Sequence, residues 1–455
     1  MAWNVLILGG GFGGLTAARK LERLLPPASA RVTLINDVNF MLYTPLLPGA
    51  AGGTLEPRHV VVPLREELES THRRLARVLG ADPARKEVTI RLPEGDEETL
   101  RYDQLIVTLG STSRTLDIPG LAEHAVGFKT LSEAIALRNR LVQTLETAES
   151  IEDDAARDSL LTYVFVGAGY AGVEGLAELQ DFAADVLEHY PRCRMHGVRF
   201  VLVEARDRLM PEISPGLADF AEAELRRRGI DIRASTTIER VSAESTELST
   251  GEVVPTRTVA WTAGVKPHPI VGRLGLPLDH TGRIKVDRFC QVEGFDDVWA
   301  IGDAAAVPDP ARPGQASPPT CQHAIRQGRT VARNVAAALG DGHSGRKRPF
   351  TYKTLGVFVD MGRHQAVAET IGIKWRGFPA WFLARTYHLS QMPGFRRRVR
   401  LVTDWTVGLL FGRDSSELGQ LGHPPALADT GLEEHSAGGT TGGGSGEDVS
   451  APAAS

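Results

Sequence analysis

Two glycine-rich turns, each between an apolar strand and an amphipathic helix, constrain this sequence more than any other feature. Both have the spacing Gly-x-Gly-x-x-Gly, the first as Gly9, Gly11 and Gly14 and the second as Gly167, Gly169 and Gly172. The first glycine permits the turn, the second lets backbone N–H groups approach a pyrophosphate, and the third lets the helix pack on the strand. The helix N-terminus adds partial positive charge. We call these turns the first and second cradles, and they predict two dinucleotide-binding folds.

A polar residue ends the strand that follows each cradle. In the second copy the strand VRFVLVEA reaches Glu204, whose carboxylate can accept hydrogen bonds from both ribose hydroxyls and would repel a 2′-phosphate. This favours NADH over NADPH, although Arg206 lies close enough to weaken the preference. The first copy has Asn36 followed by Asp37, and either side chain could reach a ribose hydroxyl.

Length, composition and cysteine spacing indicate which broad class of protein this chain belongs to. A chain of 455 residues is long enough for about three domains, and 42% apolar with 24% charged residues is ordinary for a soluble globular protein. Cys193, Cys290 and Cys321 lie far apart, which disfavours a disulfide scaffold or a zinc site. The apolar start has no basic region before it, so we expect a cytoplasmic protein without a signal peptide. The sequence contains no window of about 18 uninterrupted apolar residues, so it predicts no transmembrane helix.

Two further motifs give the chain a family resemblance. YDQLIVTLGS at 102–111 reads as a strand with a Thr-Leu-Gly turn, and VWAIGDAA occupies 298–305. With the two cradles, they resemble the two-dinucleotide-binding flavoprotein reductases of the pyridine nucleotide-disulfide oxidoreductase-like superfamily. Residues 39–65, FKTLSEAIALRNRL, WTAGVKPHP and PPTCQHAIRQG are most similar to type II NADH dehydrogenases, the single-subunit NADH:quinone oxidoreductases. The resemblance covers roughly residues 4–420.

The resemblance implies an α/β fold with two Rossmann-like dinucleotide-binding domains, the NADH domain inserted in the FAD domain, plus a small C-terminal domain. The expected boundaries are 1–118 and 264–345 for the FAD domain, 119–263 for the NADH domain, 346–423 for a membrane-associating domain and 424–455 for a disordered tail. The tail has five acidic residues and no Lys or Arg. Its poverty in apolar residues predicts disorder.

The resemblance also implies where the cofactors bind. One cradle would hold FAD permanently and the other NADH transiently, with the Thr44–Pro45 pair approaching the flavin ring and Asp303 bonding the ribityl chain. The expected cofactor-binding residues are Gly9, Gly11, Phe12, Gly13, Gly14, Asn36, Asp37, Thr44, Pro45, Thr108, Gly110, Gly167, Gly169, Gly172, Glu204, Gly264, Gly302, Asp303 and Gln322.

Few catalytic side chains are expected, because the cofactors carry the hydride chemistry and the protein supplies orientation. The resemblance implies Glu174, which would position nicotinamide or relay protons to quinone from the first helical turn. The alternative is a carboxylate favoured there by the helix dipole. Gln322 and Gln327 match a family Ala-Gln…Gln motif at the flavin and quinone site, although Cys321 replaces the alanine and Arg326 is a charged departure from the pattern.

Several other polar residues favour structural roles. Glu178, one turn after Glu174, is expected to be solvated or held in a salt link. Sulfide:quinone reductases need a pair of reactive cysteines, whereas the three cysteines here are expected to be small buried fillers. His323 could donate a proton near the flavin, but a lone histidine in such a segment more often has a structural role with its hydrogen bonds satisfied.

The C-terminal segment is basic and aromatic. Residues 371–414 contain eight Lys or Arg against two Asp, with three of the six tryptophans, Trp375, Trp381 and Trp405. Such residues on short amphipathic helices suit the headgroup region of an anionic membrane. The alternatives are a homodimer interface or a capping subdomain whose aromatics form core. Nucleic acid is disfavoured because no recognition motif surrounds the arginines.

Together these features predict a peripheral flavoenzyme on the inner face of the cell membrane, in which FAD takes a hydride from NADH and passes two electrons to a quinone. Two alternatives stay open. One is a soluble NADH-dependent reductase of a ferredoxin-like carrier, with the basic segment as its docking patch. The other is a nucleotide-sensing flavoprotein with little turnover.

Overall fold

Both cradles join a buried strand to a helix, as the sequence predicts, in a computed structural model that describes residues 2–340, 346–354 and 356–417. The strand Trp3–Leu8 leads through the first cradle into the helix Phe12–Leu24. The strand Thr162–Val166 leads through the second into the helix Tyr170–Val186. All five residues of Thr162–Val166 are buried, which is typical of a parallel strand covered on both faces.

The strand of each cradle lies at the centre of a five-stranded parallel sheet. The first sheet has the spatial order Val298–Ala300, Gln104–Val107, Trp3–Leu8, Ala30–Asn36 and His72–Leu75. The second has the order Ala125–Gly127, Thr258–Trp261, Thr162–Val166, Arg199–Val203 and Asp231–Arg233. All strands of the second sheet fall between residues 107 and 298, so the first sheet takes its strands from chain on both sides of the second.

Smaller sheets surround these two. Three have three antiparallel strands: Arg77–Asp82, Glu87–Arg91 and Glu97–Arg101; Ile238–Val241, Ser245–Leu248 and Val253–Pro255; and Gly356–Asp360, Ala366–Thr370 and Ile373–Arg376. The two-stranded sheets are Phe40–Leu42 with Val61–Pro63, Ser111–Ser113 with Val265–Pro267, and Ile284–Lys285 with Ala305–Ala306.

The other α-helices are Leu47–Ala51, Leu64–Glu67, Leu121–His124, Leu131–Ser150, Asp154–Leu160, Pro191–His196, Pro215–Arg227, Cys321–Ala338, Gly377–Gln391 and Phe395–Phe411. Short 3₁₀ turns occupy Thr44–Leu46, Pro57–His59, Leu187–His189, Pro269–Arg273 and Gly302–Ala304. The start of Leu131–Ser150 is fixed by a capping box, in which Thr130 and Glu133 each bond the other's backbone. The helices Phe12–Leu24 and Cys321–Ala338 pack against each other.

The C-terminal part has strands followed by helices, as predicted, with one difference. Trp375 lies on the strand Ile373–Arg376 and not on a helix. The helices Gly377–Gln391 and Phe395–Phe411 then close this part. In the described part of the chain, no helix has the length and apolar content needed to cross a membrane. The predicted disordered tail, 424–455, lies outside the described residues.

Candidate functional site

Each glycine of the first cradle occupies its position for a different structural reason. Gly9 has φ +102°, and a Cβ there would lie 2.4 Å from the carbonyl oxygen of Thr108. A Cβ on Gly14 would lie 1.9 Å from the carbonyl oxygen of Gly9, so the helix and strand approach too closely for any side chain. Gly11 has nothing within 4 Å of its Cβ position. The first and third glycines therefore build the turn, and the second leaves open space above it.

The second cradle repeats this geometry. Gly167 also has φ +102°, and a Cβ on Gly172 would lie 1.9 Å from the carbonyl oxygen of Gly167. Gly169 again has nothing within 4 Å. Two helix N-termini with an open backbone approach fit the pyrophosphate groups of two dinucleotides.

The residues at the ends of the following strands fix the cradles from the side. Asn36 Oδ1 accepts a hydrogen bond of 2.7 Å from the Gly10 N–H, and Glu204 Oε2 accepts one of 2.7 Å from the Ala168 N–H. Glu204 Oε1 accepts a further bond from the Arg206 N–H at 2.9 Å. Each Glu204 oxygen keeps acceptor capacity for a ribose hydroxyl. Asp37 is exposed beside the first cradle.

Two threonines support the turns of the cradles, Thr108, which is among the predicted site residues, and Thr262, which is not. The Thr108 hydroxyl donates to the carbonyl oxygens of Leu8 and Gly9, and the Thr262 hydroxyl donates to those of Val166 and Gly167. Thr108 thus faces its own backbone. The signal was the repeated Thr-x-Gly of TLG and TAG, whose glycines, Gly110 and Gly264, have φ +70° and +90° with open space around them.

Asp303 lies in a short side-chain network that the sequence did not reveal. The Ser111 hydroxyl donates to Asp303 Oδ2 at 2.5 Å, and Lys129 Nζ donates to the Ser111 hydroxyl at 2.6 Å. Lys129 also lies 3.7 Å from the Asp303 carboxylate. The network holds one carboxylate oxygen as an acceptor and leaves the other for a hydroxyl-bearing ligand.

Both predicted glutamines contact the chain's own groups. Gln327 is 1% exposed, and its Oε1 accepts a bond of 2.8 Å from the N–H of Gly302, beside Asp303. Gln322 Oε1 accepts from the Tyr352 hydroxyl at 2.6 Å, and its Nε2 donates to the Gly356 carbonyl at 3.3 Å. The Arg326 guanidinium lies over the Tyr352 ring at 4.2 Å. In this arrangement Gln327 stabilises the turn that carries Asp303.

Aromatic rings pack behind the Thr44–Pro45 turn. Phe12 and Tyr43 meet edge to face at 5.5 Å, and Tyr43 meets His388 at 6.1 Å. Burial lowers the pKa of His388 to about 4, so its imidazole is neutral at neutral pH. Burial also raises the pKa of the Cys321 thiol to about 11, which keeps it from acting as a thiolate nucleophile.

Glu174 is the fifth residue of the helix Tyr170–Val186 and so begins its second turn, one turn later than expected. Its Oε1 accepts a hydrogen bond of 3.1 Å from the Asp360 N–H. Burial raises the pKa of Glu174 well above its ordinary value, and the carboxylates of Asp360 and Glu178 raise it further. The Glu174 carboxyl therefore keeps its proton to higher pH than an exposed glutamate does.

Two neighbouring cavities share part of their lining, and Glu174 lines one of them. The inner cavity, of about 40 Å³, is lined by residues that include Pro45, Glu174, Asp360 and His388. The outer cavity, of about 290 Å³, is lined by residues that include Asp181, Asp185, Trp381 and Leu409. The lining residues common to both are Thr54, Glu178, Arg385 and Trp405.

Glu178 is not solvated: it is 3% exposed, and its carboxylate lies 3.4 Å from the Arg413 guanidinium. The expected salt link is therefore present. Arg413 follows the last helix in sequence, and the two residues meet only because the C-terminal segment folds back on the helix of the second cradle. The Arg413 guanidinium also lies 3.1 Å from the Asp185 carboxylate and 3.9 Å from that of Asp181.

The structure agrees with the expected filler role of Cys193 and Cys290 and with a structural role for His323, whereas Cys321 is less buried than expected. Cys193 and Cys290 are fully buried among apolar side chains, and Cys321 is partly buried. His323 is 3% exposed, and its Nδ1 bonds the Thr320 hydroxyl at 2.7 Å at the start of its helix.

The C-terminal helices expose phenylalanines and leucines more than tryptophans. Trp381 is 8% exposed and packs in a small core, and Arg385 stacks on both Trp381 and Trp405. The exposed apolar side chains include Phe378, Phe382, Phe395, Leu409, Leu410 and Phe411, the last at 80%. Of the arginine run, Arg396, Arg398 and Arg400 are exposed. Arg397 turns inward and donates to the Arg58 carbonyl at 2.6 Å, which reduces the exposed basic cluster to three.

Comparisons with known proteins agree with this geometry. The sequence pattern of the pyridine nucleotide-disulphide oxidoreductases matches residues 3–328. A type II NADH:quinone oxidoreductase of Mycobacterium tuberculosis is 30% identical over 449 residues, which cover 95% of this chain and 93% of that protein. A mitochondrial internal alternative NAD(P)H-ubiquinone oxidoreductase of Arabidopsis thaliana is 30% identical over 447 residues, covering 91% and 86%.

A solved structure shares the fold over almost the whole chain. NDH2 from Plasmodium falciparum in complex with NADH superposes with a TM-score of 0.84 at 18% identity, covering 91% of this chain and 100% of that one. The predicted α/β fold with two Rossmann-like dinucleotide-binding units is thereby confirmed.

Proposed function

Because the chain belongs to the pyridine nucleotide-disulphide oxidoreductase family, and within it to the type II NADH dehydrogenases, we propose that it oxidises NADH and reduces a quinone with FAD as its resident cofactor. The observation that carries the proposal is the duplicated cradle, with open space above Gly11 and Gly169 and a strand-end acceptor beside each turn. When bound, FAD would supply the redox chemistry that couples the oxidation of NADH to the reduction of the quinone.

In this proposal the first cradle holds FAD and the second NADH. Residues 1–118 and 264–345 form the FAD domain, and 119–263 form the NADH domain. Support comes from the sheets, since the strand Val298–Ala300 joins the first sheet after the chain has completed the second. Asp303, held by Ser111 and Lys129, is suited to accept a bond from a ribityl hydroxyl.

The side chains bind, orient and hold protons. The two oxygens of Glu204 would accept the ribose hydroxyls of NADH. Glu174 lines the inner cavity with Pro45, close to where the Thr44–Pro45 turn would meet the flavin, and burial raises the pKa of its carboxyl there. In its protonated form a carboxyl at this place would donate a proton to an acceptor that gains negative charge on reduction.

We propose that the C-terminal part, 346–423, lies against the inner face of an anionic cell membrane, from which the quinone enters. The support is the exposed apolar surface of the last two helices beside Arg396, Arg398 and Arg400. A homodimer interface on the same surface is the alternative. Flotation with anionic vesicles at low and high salt separates the two, because only the membrane mode binds vesicles and weakens with salt.

Anaerobic mixing tests the enzymatic proposal. The purified protein should be yellow, NADH should bleach the flavin, and a soluble quinone analogue should restore its colour. Reoxidation by a ferredoxin but not by quinone would replace the proposal with a ferredoxin reductase. Slow bleaching would replace it with a nucleotide sensor. The names of the relatives at 30% identity favour quinone over a ferredoxin-like carrier.

A further inference from the structure

Glu178 stands between the inner and outer cavities. It lines both of them and is 3% exposed. Its Oε2 has no hydrogen-bond partner among the described residues, and the nearest cation, Arg413, lies at 3.4 Å. A buried carboxylate oxygen without a hydrogen bond is costly, unless water or a proton meets it in the cavity.

Charged groups from several segments lie around Glu178. They include Glu174, Asp181 and Asp185 on its own helix, Asp360 on the neighbouring strand, Arg228 after the helix Pro215–Arg227, Arg385 on the helix Gly377–Gln391, and Arg413 after the last helix. Glu178 thus has both carboxylate and guanidinium neighbours.

The inner and outer cavities differ in size and therefore in what each can hold. An inner cavity of about 40 Å³ holds a few water molecules and is too small for an aromatic ring. The outer cavity, at about 290 Å³, has room for more water and is lined by Asp185, which is exposed. Glu174 and Glu178 are one helical turn apart, so their side chains share one helix face.

We propose that Glu178 passes protons from the outer cavity to Glu174 and so supplies the proton that quinone reduction takes from solvent. This inference rests on the proposed function. In NADH + H⁺ + quinone → NAD⁺ + quinol, the hydride brings two electrons and one hydrogen, and the second hydrogen comes from solvent. In this proposal Glu178 acts through Glu174 and does not touch the quinone. Glu178 is therefore a positioning residue for the proton that comes from solvent.

The test compares Glu178→Gln with Glu188→Gln, which alters an exposed carboxylate at the end of the same helical segment. Stopped-flow absorbance follows flavin reduction by NADH, then reoxidation by a soluble quinone or by ferricyanide, an acceptor that takes up no proton. For Glu178→Gln we expect quinone reoxidation slowed by about tenfold or more. Flavin reduction and ferricyanide reoxidation should stay unchanged. Glu188→Gln should match the wild type throughout.

A measurement on the wild type covers the case in which Glu178→Gln fails to fold. Quinone reoxidation should be slower in D₂O, while ferricyanide reoxidation should not. Equal quinone rates in Glu178→Gln and wild type, or no solvent isotope effect in the wild type, would overturn the inference. If Glu178→Gln lost as much ferricyanide rate as quinone rate, the inference would also be overturned, because the variant would then have a general structural defect. A wild type that quinone does not reoxidise would instead overturn the proposed function.

Discussion

Adding one methyl group at Gly169 or at Gly172 should have opposite consequences, although the positions are three residues apart in the second cradle. At Gly172 the new Cβ would lie 1.9 Å from the Gly167 carbonyl oxygen and 2.6 Å from the Thr262 hydroxyl oxygen. The helix must then move away from the strand. At Gly169 the backbone has φ −74°, which alanine adopts readily, and nothing lies within 4 Å.

The magnitudes follow from these contacts. Overpacking a buried site costs about 1–3 kcal/mol, and the contact at Gly172 is with backbone that cannot rotate away, so we expect the upper end of that range for Gly172→Ala. Gly169→Ala should leave the free energy of unfolding within about 0.5 kcal/mol. Its methyl group occupies the approach of the pyrophosphate, and losing one hydrogen bond to a charged group costs about 1.5–3 kcal/mol. That is about a 10- to 150-fold weaker Kd.

Urea unfolding and calorimetric titration with NAD⁺, which does not reduce the flavin, measure the two effects separately. Gly169→Ala should unfold like the wild type and bind NAD⁺ weakly, whereas Gly172→Ala should unfold at lower urea. An unchanged Kd for Gly169→Ala would show that this turn does not hold the pyrophosphate. Wild-type stability in Gly172→Ala would refute the close approach of helix and strand.

Three further changes test other parts of the site. Glu204→Ala should weaken NAD⁺ binding about tenfold in the same titration, because it removes the ribose acceptor and the bond to the Ala168 N–H; an unchanged Kd would remove the ribose assignment. Burial raises the pKa of Glu174 above its ordinary 4.5, so the folded state holds the proton more tightly than the unfolded state. The stability of the wild type should therefore fall relative to Glu174→Gln as pH rises above 4.5, and a constant difference across urea titrations at several pH values would contradict this. Changing Arg396, Arg398 and Arg400 together to Gln should cost about 3 kcal/mol of binding to anionic vesicles at low salt, with neutral vesicles as the control; equal flotation would favour the dimer interface.

The sequence predicted those parts of the site that are local in the chain. The cradle glycines, the strand-end residues Asn36 and Glu204, and the flanking strands and helices all depend on neighbours within one strand–turn–helix unit. Backbone geometry there dictates residue type directly. The prediction for Glu178 was incomplete because helical spacing gives the face of a residue without telling which element covers that face.

The duplicated turn spacing by itself determined that this chain builds two nucleotide-binding units, since a tight turn and a close helix–strand approach admit only glycine at fixed positions. Tertiary structure alone decided which distant side chains meet. It brings Arg413 to Glu178, Lys129 through Ser111 to Asp303, and His388 to the Thr44–Pro45 turn. Such contacts depend on how separate segments bury their apolar faces together, and this burial leaves no fixed spacing in the sequence.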